Sequence, residues 1–111
     1  MDEAQRRKAA NEAVFREVNE QIEAIQRSFA VTQDEPLHII CECDRIGCTE
    51  RLHVPVEAYE RVRQDFASFV VNPGHVDESV EEVVDTGGDY LVVRKRPGEP
   101  REIAAETNPR A

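Results

Sequence analysis

Leu37-His38-Ile39-Ile40-Cys41-Glu42-Cys43-Asp44-Arg45-Ile46-Gly47-Cys48-Thr49-Glu50-Arg51-Leu52-His53-Val54 sets two β-rich runs, 37–41 and 51–54, on either side of three cysteines. Two such runs around a turn-forming segment predict a β-hairpin with the cysteines at its tip. The spacing C-x-C-x4-C then supplies thiolates from a strand end and from the turn after it, and Gly47 lets the backbone curl back toward them. Thiolates placed in this way can converge on one ion. The competing reading is three small buried hydrophobes, as free cysteines often are. The turn-rich company of Asp44, Arg45 and Gly47 speaks against it.

Three sulfurs need a fourth ligand to close a tetrahedral Zn²⁺ site. The histidines are His38, His53 and His75. If Cys43 pairs with Cys48, His53 stands five residues along a strand that rises about 3.3 Å per residue, roughly 16 Å from Cys48. That is too far to share an ion. The same register sets His38 opposite His53, two polar side chains on one sheet face. His75 follows Asn72-Pro73-Gly74, a turn that can aim a side chain inward. The expected ligands are therefore Cys41, Cys43, Cys48 and His75, with His53 and His38 as alternatives for the last. A C-x-C-x4-C with one distant histidine is less specific than paired C-x2-C motifs.

On the C-terminal side, Pro55 opens a helix expected over 55–67, where Tyr59, Val62 and Phe66 make a buried face. Ser68-Phe69-Val70-Val71 reads as a strand entering the Asn72-Pro73-Gly74 turn. Residues 82–86 and 89–94 flank Gly87-Gly88, a two-residue turn suited to positive φ, and form a second hairpin. Its second arm is apolar on both faces, which places it centrally in the sheet. From Pro97 the chain is expected to be a loose tail with one short turn around Arg101 to Glu106. On the N-terminal side, residues 2–29 read as one long helix. Val14, Val18, Ile22, Ile25 and Phe29 recur at helical spacing, and this stripe is expected to pack on the core. Residues 32–36 then break the helix. The predicted architecture is α+β in one domain: an N-terminal amphipathic helix (1–30), a zinc-binding core (31–96) of a small, mostly antiparallel sheet with a second helix, and the tail (97–111).

The composition limits function. The 111 residues carry 23 acids and 14 bases, net −9. Residues 31–90 hold 14 of the acids and 4 of the bases, an acidic body that repels phosphates. Nucleic acid is thereby disfavoured, and Arg94-Lys95-Arg96 reads as a solvated strand end. The apolar runs are far shorter than the roughly 20 residues that cross a bilayer. The first residues show no apolar stretch of a secretory leader, so the expected compartment is the cytoplasm. There thiols stay reduced and serve as metal ligands or reactive groups. Glu57, Glu60, Glu81 and Glu82 are read as solvated surface.

The run Asn11-Glu12, Phe15-Arg16, Val18-Asn19-Glu20, then Cys41-Glu42-Cys43 with Cys48, Tyr59-Glu60-Arg61-Val62-Arg63 and Pro73-Gly74-His75 resembles a family of small bacterial proteins, chiefly actinobacterial. The likeness covers residues 11 to about 96. It groups the three cysteines with His75 and implies no mechanism.

Three thiolates and one imidazole leave no open position, the pattern of structural zinc. The leading expectation is a zinc-stabilised module that binds another protein, with a homodimer through the N-terminal helix as a variant. The alternatives are an enzyme, with zinc-bound water or with a Cys48 nucleophile helped by His75, and a redox or metal sensor that releases zinc on oxidation.

Overall fold

The computed structural model describes residues 3–29 and 35–110. In chain order these form α1 (Glu3–Ser28), β1 (Leu37–Ile40), β2 (Arg51–Val54), α2 (Val56–Arg63), β3 (Ser68–Val71), β4 (Glu81–Thr86), β5 (Leu91–Lys95) and α3 (Glu99–Glu106). The fold is α+β, as the sequence predicts. The helix break expected at 32–36 lies largely outside the described residues.

The first hairpin has the expected register. Leu37 pairs with Val54, His38 with His53, Ile39 with Leu52 and Ile40 with Arg51. Leu37, Ile39, Leu52 and Val54 face the core while His38 and His53 face out. Strand alternation alone produces this division.

The remaining strands form a separate antiparallel sheet of order β3-β5-β4, so the single sheet expected from the sequence is two sheets. They are joined beyond the end of β1, where the Glu42 N–H donates to the Val70 carbonyl at 2.8 Å. β5 is the central strand, in keeping with its two apolar faces. β3 is buried along its whole length. Val83 and Val84 stay largely exposed where β4 bulges against β5.

The second hairpin departs from expectation at its turn. Neither Gly87 nor Gly88 has positive φ. The loop is wider, and Gly87 N–H donates to the Tyr90 carbonyl at 2.9 Å. What excludes a side chain at Gly87 is space: a Cβ there would stand 2.0 Å from the Tyr90 ring.

Helix α2 ends at Arg63, short of the expected 67. The Asp65 carboxylate accepts the Ala67 N–H at 3.0 Å and the Ser68 hydroxyl at 3.0 Å, a local turn that competes with continued helix. Tyr59 and Val62 are buried as predicted, and Phe66 packs half-buried beyond the helix end.

The largest correction concerns α1. Of its expected apolar stripe, Val14, Ile25 and Phe29 are exposed (57, 57 and 74%), and Ile22 reaches the core only partly. The buried face is Ala9, Glu12, Arg16, Asn19 and Glu23. Each buried polar group meets a partner that hydropathy does not register. Glu12 accepts from Lys95 Nζ at 2.6 Å. Arg16 donates to the carbonyls of Phe66 at 2.6 Å and Ala104 at 2.8 Å. The Asn19 amide donates to the Ile40 carbonyl and accepts the Ile40 N–H, both at 2.8 Å. A buried polar group that is hydrogen-bonded costs far less than a bare one, and here the partners lie on three other elements.

The C-terminal segment also differs from the expected loose tail. Residues 99–106 form α3, which buries Ala104. Arg16 supplies a cation to the carbonyl end of α3, where the helix dipole favours positive charge. Beyond it Arg110 reaches Glu20 at 3.1 Å and Glu23 at 3.2 Å, and also pairs with Glu60.

Candidate metal centre

The strand-like backbone from Ile40 to Cys43 alternates its side chains, so Cys41 and Cys43 emerge on one side and Glu42 on the other. Glu42 is entirely buried. Its carboxylate accepts from Asn19 Nδ2 at 2.7 Å, from the Val70 N–H at 2.9 Å and from the Arg63 guanidinium. These three contacts, from α1, β3 and α2, fix the rotation of the strand and therefore the direction of both sulfurs. Cys41 N–H is held by the Glu50 carbonyl at 2.9 Å, continuing the hairpin ladder to the tip.

The turn brings in the third sulfur. Gly47 has φ +85°, a region glycine occupies readily, and Cys48 N–H closes the turn on the Arg45 carbonyl at 3.1 Å. The imidazole arrives on a 3₁₀ turn over Pro73–His75. The Asn72 side chain caps this turn by accepting the Gly74 N–H at 2.9 Å, and His75 N–H donates to the Asn72 carbonyl at 2.8 Å. The Arg45 guanidinium donates to the Gly74 carbonyl at 3.0 Å, tying the cysteine turn to the histidine turn. Asn72 N–H points at Cys41 Sγ at 3.1 Å, a donor suited to a thiolate.

The result is one cluster. His75 Nδ1 lies 3.6 Å from both Cys41 Sγ and Cys48 Sγ. The ligand atoms of Cys41, Cys43, Cys48 and His75 all fall within 4.8 Å of one another. Zinc–sulfur and zinc–nitrogen bonds of about 2.3 and 2.0–2.1 Å at the tetrahedral angle give a sulfur–nitrogen edge of about 3.6 Å. The separations thus fit a single ion with little rearrangement. Among the described residues this is the one group of three or more such side chains that could hold a metal. His38 and His53, the alternatives for the fourth ligand, lie on the solvent face of the hairpin and face each other instead.

The electrostatics agree with thiolate chemistry. The Cys43 thiol is pulled down to about 5, chiefly by its hydrogen bond with Cys41, helped by the Arg45 backbone and by Cys48 and His75. Cys41 is pushed up by that same hydrogen bond and by burial, and Cys48 is pushed up by burial. The hydrogen bonds among the three thiols carry the protons that the cluster holds. A divalent cation would displace them, since the thiolate is the ligand form. Cys41 and Cys43 are buried and Cys48 is half-buried.

Sequence reasoning missed the residues that aim the ligands. Alternation sets Glu42 on the face opposite the two cysteines, the side of His38, and that is the one signal it carries; nothing in the sequence marks the position as buried. Arg63 and Asn19 have no such signal, because both sit on helices whose polar faces read as solvated.

The chain has no match among protein family models, curated proteins or solved structures. Among the described residues no helix is long and apolar enough to cross a membrane.

Proposed function

We propose that this chain is a cytoplasmic zinc protein in which Cys41, Cys43, Cys48 and His75 hold one structural Zn²⁺, and that the unit so stabilised binds another protein. The observation that carries the reading is the convergence of four ligand atoms within 4.8 Å. The donor set is three sulfurs and one nitrogen, the softness that favours zinc over magnesium or calcium. When bound, the ion would fasten the hairpin tip to the Pro73–His75 turn.

The structural role is favoured over the enzyme alternatives by access. The most acidic thiol, Cys43, is 1% exposed, so a substrate cannot approach it. Cys48, the more accessible sulfur, is half-buried, and burial pushes its thiol up. A zinc with four protein ligands leaves no position for water. A protein partner fits the acidic body and the exposed Val14 and Ile25 of α1 with Phe29 just past its end. A second copy of the chain would suit the same helix. The likeness to the chiefly actinobacterial family rests on the same cysteines and the Pro73-Gly74-His75 turn.

The test is zinc content on untagged protein, followed by chelation. About one zinc per chain is expected, with a lower melting temperature once it is stripped. A fold and melting temperature indifferent to zinc removal would defeat the structural reading. Sedimentation of the wild type and of Phe29→Ser over a range of concentrations addresses the partner: association that the substitution weakens assigns the helix face to a second copy.

A further inference from the structure

We infer that the outer face of the first hairpin carries a second, independent metal site, in which His38 and His53 bind a borderline divalent transition-metal ion and Asp89 orients His53.

The pairing geometry comes first. Cys41 N–H bonded to the Glu50 carbonyl marks 41/50 as a hydrogen-bonded pair of the β1–β2 ladder. Pairs alternate, so 38/53, three steps away, is a non-hydrogen-bonded pair, the class with the closest side chains. The imidazole centroids are indeed 4.5 Å apart. Two imidazoles on one tetrahedral ion have centroids about 5 Å apart. The rings meet edge to face at 74°. Both side chains are exposed, so an ion has an entry path.

The second observation is Asp89. Its carboxylate lies 2.8 Å from His53 Nδ1 and also accepts the His53 backbone N–H at 3.0 Å. That N–H is free because residue 53 belongs to a non-hydrogen-bonded pair. Asp89 thus fixes both the backbone and the ring of His53. A carboxylate on Nδ1 keeps the proton there and leaves the Nε2 lone pair free to bind, the arrangement that carboxylates impose on metal-bound histidines.

Two neutral imidazoles with water in the other positions suit Zn²⁺, Ni²⁺ or Cu²⁺ and suit Mg²⁺ or Ca²⁺ poorly. The site is distinct from the cysteine cluster. His38 stands three residues from Cys41, about 10 Å along the strand, and its side chain is on the opposite face.

Ni²⁺ titrated into the full chain as purified tests the site, by calorimetry and by near-ultraviolet absorption. Binding without sulfur-to-nickel charge-transfer absorption is expected, since no thiolate takes part. His38→Gln and His53→Gln should each weaken it at least tenfold, and Asp89→Ala should weaken it about tenfold while both histidines remain. All three side chains are exposed, and far-ultraviolet circular dichroism checks that each variant keeps its fold. Absence of binding, affinity in either histidine variant equal to wild type, or nickel uptake only with charge-transfer absorption would overturn the site. An unchanged affinity in Asp89→Ala would remove Asp89 from it. These readouts do not involve zinc at the cysteines, so this site and the structural zinc stand or fall separately.

Discussion

Glu42 and Arg63 form an ion pair shut off from solvent, their side chains 0% and 2% exposed. The pair ties the residue between two metal-directed cysteines to the last turn of α2. Arg63 also stacks over the Tyr59 ring at 5.0 Å, while its Nε and Nη1 atoms have no hydrogen-bond partner among the described residues. So incompletely paired a guanidinium adds little net stability. The pair serves instead to aim Cys41 and Cys43, because Glu42 can satisfy its charge in only one orientation of the strand.

Removing one partner of a buried ion pair strands the other. Arg63→Ala should therefore destabilise the fold by about 3–5 kcal/mol. Urea unfolding measures the loss, and a change under 1 kcal/mol would show that Glu42 finds compensation elsewhere. The same variant should bind zinc more weakly, because the strand carrying two sulfurs loses its anchor.

Metal removal should act on the whole fold. Structural zinc contributes on the order of 10 kcal/mol in small modules, comparable with the 5–15 kcal/mol of an entire domain. Cys43→Ser and His75→Ala should each lose stoichiometric zinc on metal analysis. Even 3 kcal/mol of lost stability would lower the melting temperature by roughly 12–24 °C in a chain of this size. Calorimetry with and without chelator checks the wild type against both variants.

What the sequence disclosed, and what it withheld, follows from the kind of interaction involved. The hairpin register and the four-residue cluster were legible because strand alternation and ligand chemistry are local or type-specific. Residues 37 to 54 fix their own pairing, and few side chains besides cysteine and histidine bind zinc in this way. The face of α1 was illegible for the opposite reason. Glu12, Arg16 and Asn19 are buried by groups 21 to 88 residues away, and hydropathy scores them as solvated. Residues 97–110 depart from the expected loose tail on the same ground. Their order comes from Arg16 and Arg110 contacts, whose partners are distant in sequence.

The second hairpin turn offers a paired test. Gly87→Ala would drive a methyl group into the buried Tyr90 ring, and overpacking of that kind costs about 1–3 kcal/mol. Gly88→Ala meets nothing within 4 Å and needs no unusual φ, so it should be neutral or stabilising by up to about 1 kcal/mol. Chemical denaturation of the two variants separates the readings. Equal effects would mean that the turn depends on glycine flexibility and not on the space beneath Tyr90.

The Glu12–Lys95–Glu81 cluster sets a pH dependence of definite sign. Lys95 Nζ donates to Glu12 at 2.6 Å and to Glu81 at 2.9 Å, all three buried. One ionised carboxylate suffices to balance one ammonium. Burial pushes the Glu12 carboxyl up to about 8 against the opposing pull of Lys95, with Glu81 and Asp44 adding to the rise. In the unfolded chain the same carboxyl loses its proton near 4.5. Between these values the folded state binds more protons than the unfolded, so stability falls as pH rises from about 4.5 to 8. The contribution is whole below 4.5 and is lost by the time pH passes 8. Its slope is at most about 1.4 kcal/mol per pH unit. Glu23, raised to about 7 by burial, adds a dependence of the same sign, so the wild type alone does not isolate Glu12. Glu12→Gln does. The amide can still accept from Lys95 and cannot ionise, so the difference in unfolding free energy between wild type and variant should change steadily across pH 5–8. A difference that stays constant over that range would mean that Glu12 is charged throughout and that Lys95 is balanced by two carboxylates.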